Sequence, residues 1–317
     1  MKITEHIKNS KGTLFSFELL PPLKGKSIQS IFDAIDPLME FKPPFIDVTY
    51  HREEYIYKQH VNGLLEKFAQ RKRPGTVGIC SAIMNRYKID AVPHIICGGF
   101  SKEETENALI DLNFLGIDNV LVLRGDAIKT DSAFIPHPAG HPHASDLLSQ
   151  VEKMNCGLYL DAESTDNIST DFCIGVAGYP EKHFESPNLK TDLNYLKNKV
   201  DQGADFIVTQ MFFDNQVYID FVAKCRAIGI MVPIIPGLKP ITSSKQLSVL
   251  PKIFHIDLPE ALSESILQAK DEKAVKQIGI EWLIEQSKEL QKLGVPVLHY
   301  YTMGSAEPTY QIAKAIF

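Results

Sequence analysis

The sequence predicts an α/β fold, a (βα)8 TIM barrel, on three observations. Short β-branched or apolar runs alternate with amphipathic, charge-flanked segments along the whole chain. Eight such strand–helix units can be counted, the number that closes a parallel barrel. The first strand is followed by "ELLPPLKGK", and neither GxGxxG nor GxxxxGK[ST] occurs, which weighs against an open doubly wound sheet. Strands are expected near 13–18, 45–50, 91–97, 119–124, 173–178, 206–211, 232–236 and 296–300. Helices are expected near 27–40, 53–70, 101–115, 145–155, 189–202, 215–228, 272–292 and 306–316.

The first strand is "FSFELLPP". With period 2, Thr13, Phe15, Phe17 and Leu19 point one way, and Leu14, Ser16, Glu18 and Leu20 the other. Pro21 and Pro22 end it, since neither can donate to a ladder. Glu18 is thus a charge at the carboxyl end of a buried strand, costly unless paired or used. The "RKR" run, Arg71 to Arg73, reads as a solvated end of the 53–70 helix, and "RPGTVGICSAIMNRYKI" as an extra turn and strand. "SKEE" from Ser101 is a capping box, while "LNFLGIDNV" and "QKLGVPV" each run helix, glycine stop, strand. Cys97 and Cys173 fall in strands and read as buried free thiols.

Composition narrows the classes. Of 317 residues 44% are hydrophobic and 23% charged, and 33 basic against 39 acidic residues give a net charge of −6, with no nucleic-acid footprint. The start lacks a signal-peptide core, no apolar run approaches membrane-spanning length, and the five cysteines form no CxxC pair. A cytoplasmic protein without membrane or nucleic-acid partners is expected.

Polar residues recur at the carboxyl ends of the expected strands: Glu18, Thr49, His94, Arg124, Asp126, Tyr179 and Gln210, with His299, Tyr300 and Tyr301. A barrel gathers these ends at its active-site face, so the pattern argues for an enzyme. Two carboxylates, Glu18 and Asp126, could form a glycosidase pair, but the single Trp282 lies in an outer helix and offers no sugar platform. Otherwise one carboxyl delivers a proton and the other stabilises positive charge. "HPAGHPH" holds His137, His141 and His143 in a proline-rich loop without preset ligand geometry, and no metal site is expected. Asp192, Tyr195 and Lys199 share one helix face, either a solvated face or a surface for an extended polar cofactor.

The series "FSFELLPP", "DVTY", "PHIIC", "LVLRGD", "ASDLL", "VAGYPEKH", "LKNKVDQGADFIVTQMFFD", "IIPGLKPI" and "HYYTMGSAE" resembles the methylenetetrahydrofolate reductase family, in order and over almost the whole chain. The resemblance implies a barrel holding non-covalent FAD, reduced by NADH or NADPH, that then reduces 5,10-methylenetetrahydrofolate to 5-methyltetrahydrofolate in a ping-pong cycle serving methionine synthesis. It implies Glu18 as general acid, Asp126 as the carboxylate beside flavin and pterin, and Gln210 as the amide that binds the pterin. Flavin-contacting positions carry over to Thr49, His94, Arg124, Gly125, Asp126, Ala144, Tyr179, His183, Asp192 and Lys199, the last toward the pyrophosphate. The chain departs from many relatives at His51, in place of a glycine, at Asn198, in place of a basic residue, and at Ile266, in place of a stacking aromatic. A single catalytic unit over 1–317 is expected, without a regulatory domain and assembled as a homo-oligomer. Two other readings are a family flavoprotein with a different electron donor and a non-catalytic folate-binding subunit.

Overall fold

Alternation along the strands builds the architecture of the computed structural model, which describes residues 1–70, 72–128, 133–161 and 167–317. The strands are β1 (Leu14–Leu19), β2 (Phe45–Val48), β3 (Glu54–Gln59), β4 (Leu65–Gln70), β5 (Asp90–Ile96), β6 (Asn119–Leu123), β7 (Cys173–Gly178), β8 (Phe206–Thr209), β9 (Ile234–Ile235), β10 (Gly237–Leu238) and β11 (Val297–Tyr301). Nine of them form one sheet in the order β10-β11-β1-β2-β5-β6-β7-β8-β9. Every pairing in it is parallel.

The ring closes through a broken strand. β9 pairs with β8 and β10 with β11, and only Pro236 separates them. Proline has no N–H to continue a ladder, yet its carbonyl still accepts from His299 N–H at 3.2 Å. Counted as one stave, β9 and β10 make the eighth of a TIM barrel.

Helices α1 (Ile3–Asn9), α2 (Gln29–Ile35), α3 (Thr76–Tyr87), α4 (Lys102–Phe114), α5 (Ala144–Asn155), α6 (Leu189–Asp201), α7 (Asn215–Ala227), α8 (Gln246–Phe254), α9 (Glu260–Leu267), α10 (Glu272–Lys292) and α11 (Glu307–Ile316) complete the chain. Outward-facing strand residues such as Phe15, Phe17, Ile46 and Val176 pack under them in the main core. The amino end of the barrel is filled by Phe45, Val92, Leu121, Phe206 and Val297, closed by Ile3 of α1. Ile3 is held there by its N–H on the Asn119 side chain at 2.8 Å. The expected capping box at Ser101 is present, Ser101 Oγ accepting from Glu104 N–H while the Glu104 carboxylate accepts from Ser101 N–H at 2.8 Å. Among the described residues no helix is long and apolar enough to cross a membrane.

Two expectations are corrected between β2 and β5. The span 53–70 is an antiparallel hairpin of β3 and β4, not a helix. Its signals are the alternating "EYIYKQ" and the Asn62-Gly63 turn, where Gly63 takes a φ of +81°. The "RPGTVGICSAIMNRYKI" segment forms α3, not an extra turn and strand, with Ile79, Cys80 and Ile83 buried on one face. "RKR" is accordingly not a helix end. Lys72 and Arg73 follow the hairpin, the Arg73 guanidinium donates to the Pro21 carbonyl, and Arg71 lies outside the described residues.

Candidate active site

Successive residues on one strand face alternate inward, so the interior above the apolar plug is set by the next inward positions. On β1 these are Ser16 and Glu18, on β2 Asp47, on β5 His94, and on β11 His299 and Tyr301. Ser16, Asp47, His94 and His299 are each at least 97% buried, with exposures of 0%, 1%, 3% and 1%. Ser16 Oγ and His299 Nδ1 are hydrogen-bonded at 2.8 Å. His94 Nε2 lies between two carboxylates, 3.5 Å from Glu18 Oε2 and 3.7 Å from Asp47 Oδ2. Both oxygens of Asp47, with His94 Nε2 and His299 Nε2, are buried without a hydrogen-bond partner.

Such a cluster must shift proton affinities. Burial raises the Glu18 carboxyl above the usual carboxylate range, with His94 opposing the shift and Asp47 adding to it. Burial pushes Asp47 up to about 6, against the pull of His299. Burial lowers both imidazoles, His94 against the attraction of Glu18 and His299 against that of Asp47. The layer therefore disfavours charged imidazoles, and Glu18, its proton affinity raised, stands at the mouth where a proton can be given.

The rim carries the other expected residues. Thr49 Oγ1 donates to the Leu19 carbonyl at 3.0 Å, and the Gln210 side-chain oxygen accepts from Met211 N–H at 2.9 Å. Arg124 pairs with Glu185 and sits 5.0 Å from the Phe134 ring. Gly125 takes a φ of +82° over Ile96, a turn a side chain would strain, and delivers Asp126 to an exposed position. Tyr179 packs edge-on to His183 at 4.7 Å, and burial raises its phenol. Ala144 opens α5.

The helix face of Asp192, Tyr195 and Lys199 is split. Asp192 turns inward and accepts from Ser186 Oγ at 2.7 Å and His183 N–H at 3.1 Å, while Tyr195 stays exposed. Lys199 donates to the Ala177 carbonyl at 2.9 Å, and burial lowers its ammonium to about 8. Tyr300 leaves the expected set: it points outward and its hydroxyl donates to Ser287 at 2.9 Å in the main core. Trp282 is an outer-helix residue whose indole N–H donates to Phe213, and Ile266 is buried with Met211 and Leu262 in a satellite core. His141 meets Gln150 at 2.5 Å and His143 precedes α5. Among the described residues no cluster of three metal-ligating side chains forms.

Sequence reasoning missed Asp47. Its signal was available: it precedes Thr49 by two positions in "DVTY" and so shares that residue's inward face.

Beside His94 opens a cavity of about 540 Å³ walled by Pro22, Ile31, Tyr50, Ile96 and Phe100. Next to the β5 end of the same wall, Arg52 Nε and Nη1 are buried without a hydrogen-bond partner, and its side chain packs against Gly98. An apolar slot, orphaned guanidinium N–H groups and the half-buried Lys199 suit a flat ring system that carries anionic groups.

A family model described as methylenetetrahydrofolate reductase matches residues 2–316. The chain belongs to the methylenetetrahydrofolate reductase family. Among similar proteins of that family, methylenetetrahydrofolate reductase 1 of Schizosaccharomyces pombe is 31% identical, with 100% of this chain and 48% of that protein covered. The 5,10-methylenetetrahydrofolate reductase of Escherichia coli is 30% identical, with 95% of this chain and 90% of that protein covered. The chain thus spans about half the length of the curated eukaryotic relatives it matches and most of the bacterial ones. A solved Clostridium thermocellum structure, described as binding two copies of 5-methyl-5,6,7,8-tetrahydrofolic acid, aligns at a TM-score of 0.59 and 15% identity over 99% of this chain and 98% of that one, which supports the fold.

Proposed function

We propose that the chain is an FAD-dependent 5,10-methylenetetrahydrofolate reductase using NADH or NADPH by a ping-pong cycle, with residues 1–317 acting as one catalytic unit. The observation that carries the reading is Glu18, a partly buried carboxyl with raised proton affinity at the barrel mouth, in a chain of this family.

The residues fit the flavin. Thr49, His94, Arg124, Gly125, Asp126 and Tyr179 sit in or after the carboxyl ends of neighbouring strands. Ala144 opens α5, His183 follows β7, Asp192 is in the first turn of α6 and Lys199 in its last. Lys199 would face the pyrophosphate, and Asp192 fixes the 183–186 turn beside it. Bound FAD would supply the hydride chemistry. Everything else falls to the protein. Glu18 gives its proton to the folate nitrogen that leaves when the five-membered ring opens, and His94 limits where that carboxyl can turn. Asp126 sets a negative charge where the substrate becomes cationic. Gln210 offers both an acceptor and a donor to the pterin edge.

The test is an anaerobic titration of FAD-reconstituted protein. A yellow protein should bleach with NADH or NADPH and recover its colour with methylenetetrahydrofolate. Yellow protein that neither nucleotide reduces indicates another electron donor. Colourless protein that still binds folate indicates a non-catalytic subunit.

A further inference from the structure

We infer that Asp47 is a positioning residue of this site: its carboxylate, across His94 from Glu18, holds Glu18 in the protonated form that folate reduction consumes. The inference rests on the reductase reading.

A buried carboxylate with a purely structural role normally accepts several hydrogen bonds. Asp47 accepts none among the described residues, at 1% exposure. His94 Nε2 lies 3.7 Å from its Oδ2, and the same nitrogen is 3.5 Å from Glu18 Oε2. One imidazole thus stands between two carboxyls and can donate to only one of them at a time. An orphaned charge beneath a proton donor is costly unless its field is used.

The groups facing this pair come from four elements. Glu18 is on β1, His94 on β5, His299 and Tyr301 on β11, and Cys80 on α3, while the Thr49 hydroxyl, just past β2, donates to the Leu19 carbonyl. The thiol and the phenol are raised by burial and stay neutral, and both imidazoles are lowered. Above pH 6 Asp47 carries a negative charge beside Glu18. A second negative charge on Glu18 is then disfavoured, so Glu18 keeps its proton to higher pH. A neutral side chain at 47 removes that repulsion. His94 is already neutral there, so its own shift does not cancel the effect.

The experiment follows flavin reoxidation by methylenetetrahydrofolate against pH, in wild type, Asp47→Asn, Asp47→Ser and Asp47→Glu. The rate should fall at high pH as Glu18 ionises. In both neutral variants that alkaline limb should move down by about one pH unit, the scale of a like-charge interaction across one side chain. Asp47→Glu should bring it back, and flavin reduction by the nicotinamide should keep its wild-type pH profile throughout. Neutral variants whose limb coincides with the wild type, with rates lowered uniformly, overturn the inference and leave the reductase reading intact. Wild-type protein that never passes hydride to folate refutes that reading, and the role of Asp47 with it. If the neutral variants do not fold, ¹³C NMR of the wild-type carboxyls decides: coupled, multi-step titration of the buried pair is expected, and a single independent step for Glu18 overturns the inference.

Discussion

Two residues along a strand separate the stabilising half of the barrel interior from the chemical half. On β1 the inward positions run Leu14 then Ser16, on β2 Phe45 then Asp47, on β5 Val92 then His94, and on β11 Val297 then His299. The first of each pair joins the plug around Ile3, where burial stabilises by roughly 1.5–3 kcal/mol per large side chain. The second joins a layer in which Asp47, His94 and His299 leave buried polar atoms unpaired. Each such atom costs about 1–3 kcal/mol. The plug thus underwrites a layer that would not persist alone, and strain at a site is carried by the structure around it.

The largest way to break this contrast is Glu18→Gln. Folate reduction should fall by about 10²–10⁴, the range for a lost general acid, while flavin reduction by the nicotinamide survives. The apparent melting temperature should hold or rise, since a partly buried acid of raised proton affinity is replaced by a neutral amide. Equal loss of both half-reactions would make Glu18 structural and remove the contrast.

The opposite signature is expected of Phe206→Ala in the plug. Phe206 is fully buried among Leu121, Cys173 and Val208, so truncation should cost about 3–5 kcal/mol in denaturant unfolding. In the fraction that folds, the two half-reactions should keep their wild-type ratio.

At the rim the contrast becomes a pH dependence. Lys199 in the free protein titrates at about 8, and a bound pyrophosphate should raise that value. Below pH 8 the ammonium is charged with or without flavin, so affinity is flat. Above it the free protein loses the proton that the complex keeps, and affinity should drop by up to about tenfold per pH unit. Lys199→Met should bind flavin more weakly and lose that slope, as equilibrium titration would read.

Much of this was legible in the sequence. Period-2 runs with glycine and proline stops placed all eight staves, because parallel strands buried on both faces need continuous apolar runs. Glu18 and His94 stood out as polar residues at inward positions. The hairpin at 54–70 did not, since "EEYIYKQHVNGLLEKFAQ" also carries enough charge and leucine to mimic an amphipathic helix, and only the short "EYIYKQ" run and Asn62-Gly63 separate the readings. The inward position of Asp47 was readable from "DVTY", but its role was not, since its neighbours Glu18, His94 and His299 are remote in sequence and only closure of the ring sets them around one carboxylate.

The smallest effect tests whether the polar layer is a set of separate side chains or a connected unit. Ser16→Ala removes the hydroxyl at 2.8 Å from His299 Nδ1, and His299 Nε2 already lacks a partner. Both ring nitrogens would then be buried and unsatisfied, at a cost of about 1 kcal/mol or a little more, read as a lower denaturant midpoint at unchanged slope. Folate reduction should change by less than about tenfold, since Ser16 lies a full strand step below the mouth. The double variant Ser16→Ala with His299→Leu decides between the two views. If the layer is polar only because these two groups satisfy one another, replacing both by apolar side chains should recover stability lost by Ser16→Ala alone. If His299 instead holds Asp47 through its field, as the opposing pull on that carboxyl indicates, the double variant should stay less stable than wild type and should raise the proton affinity of Asp47 further.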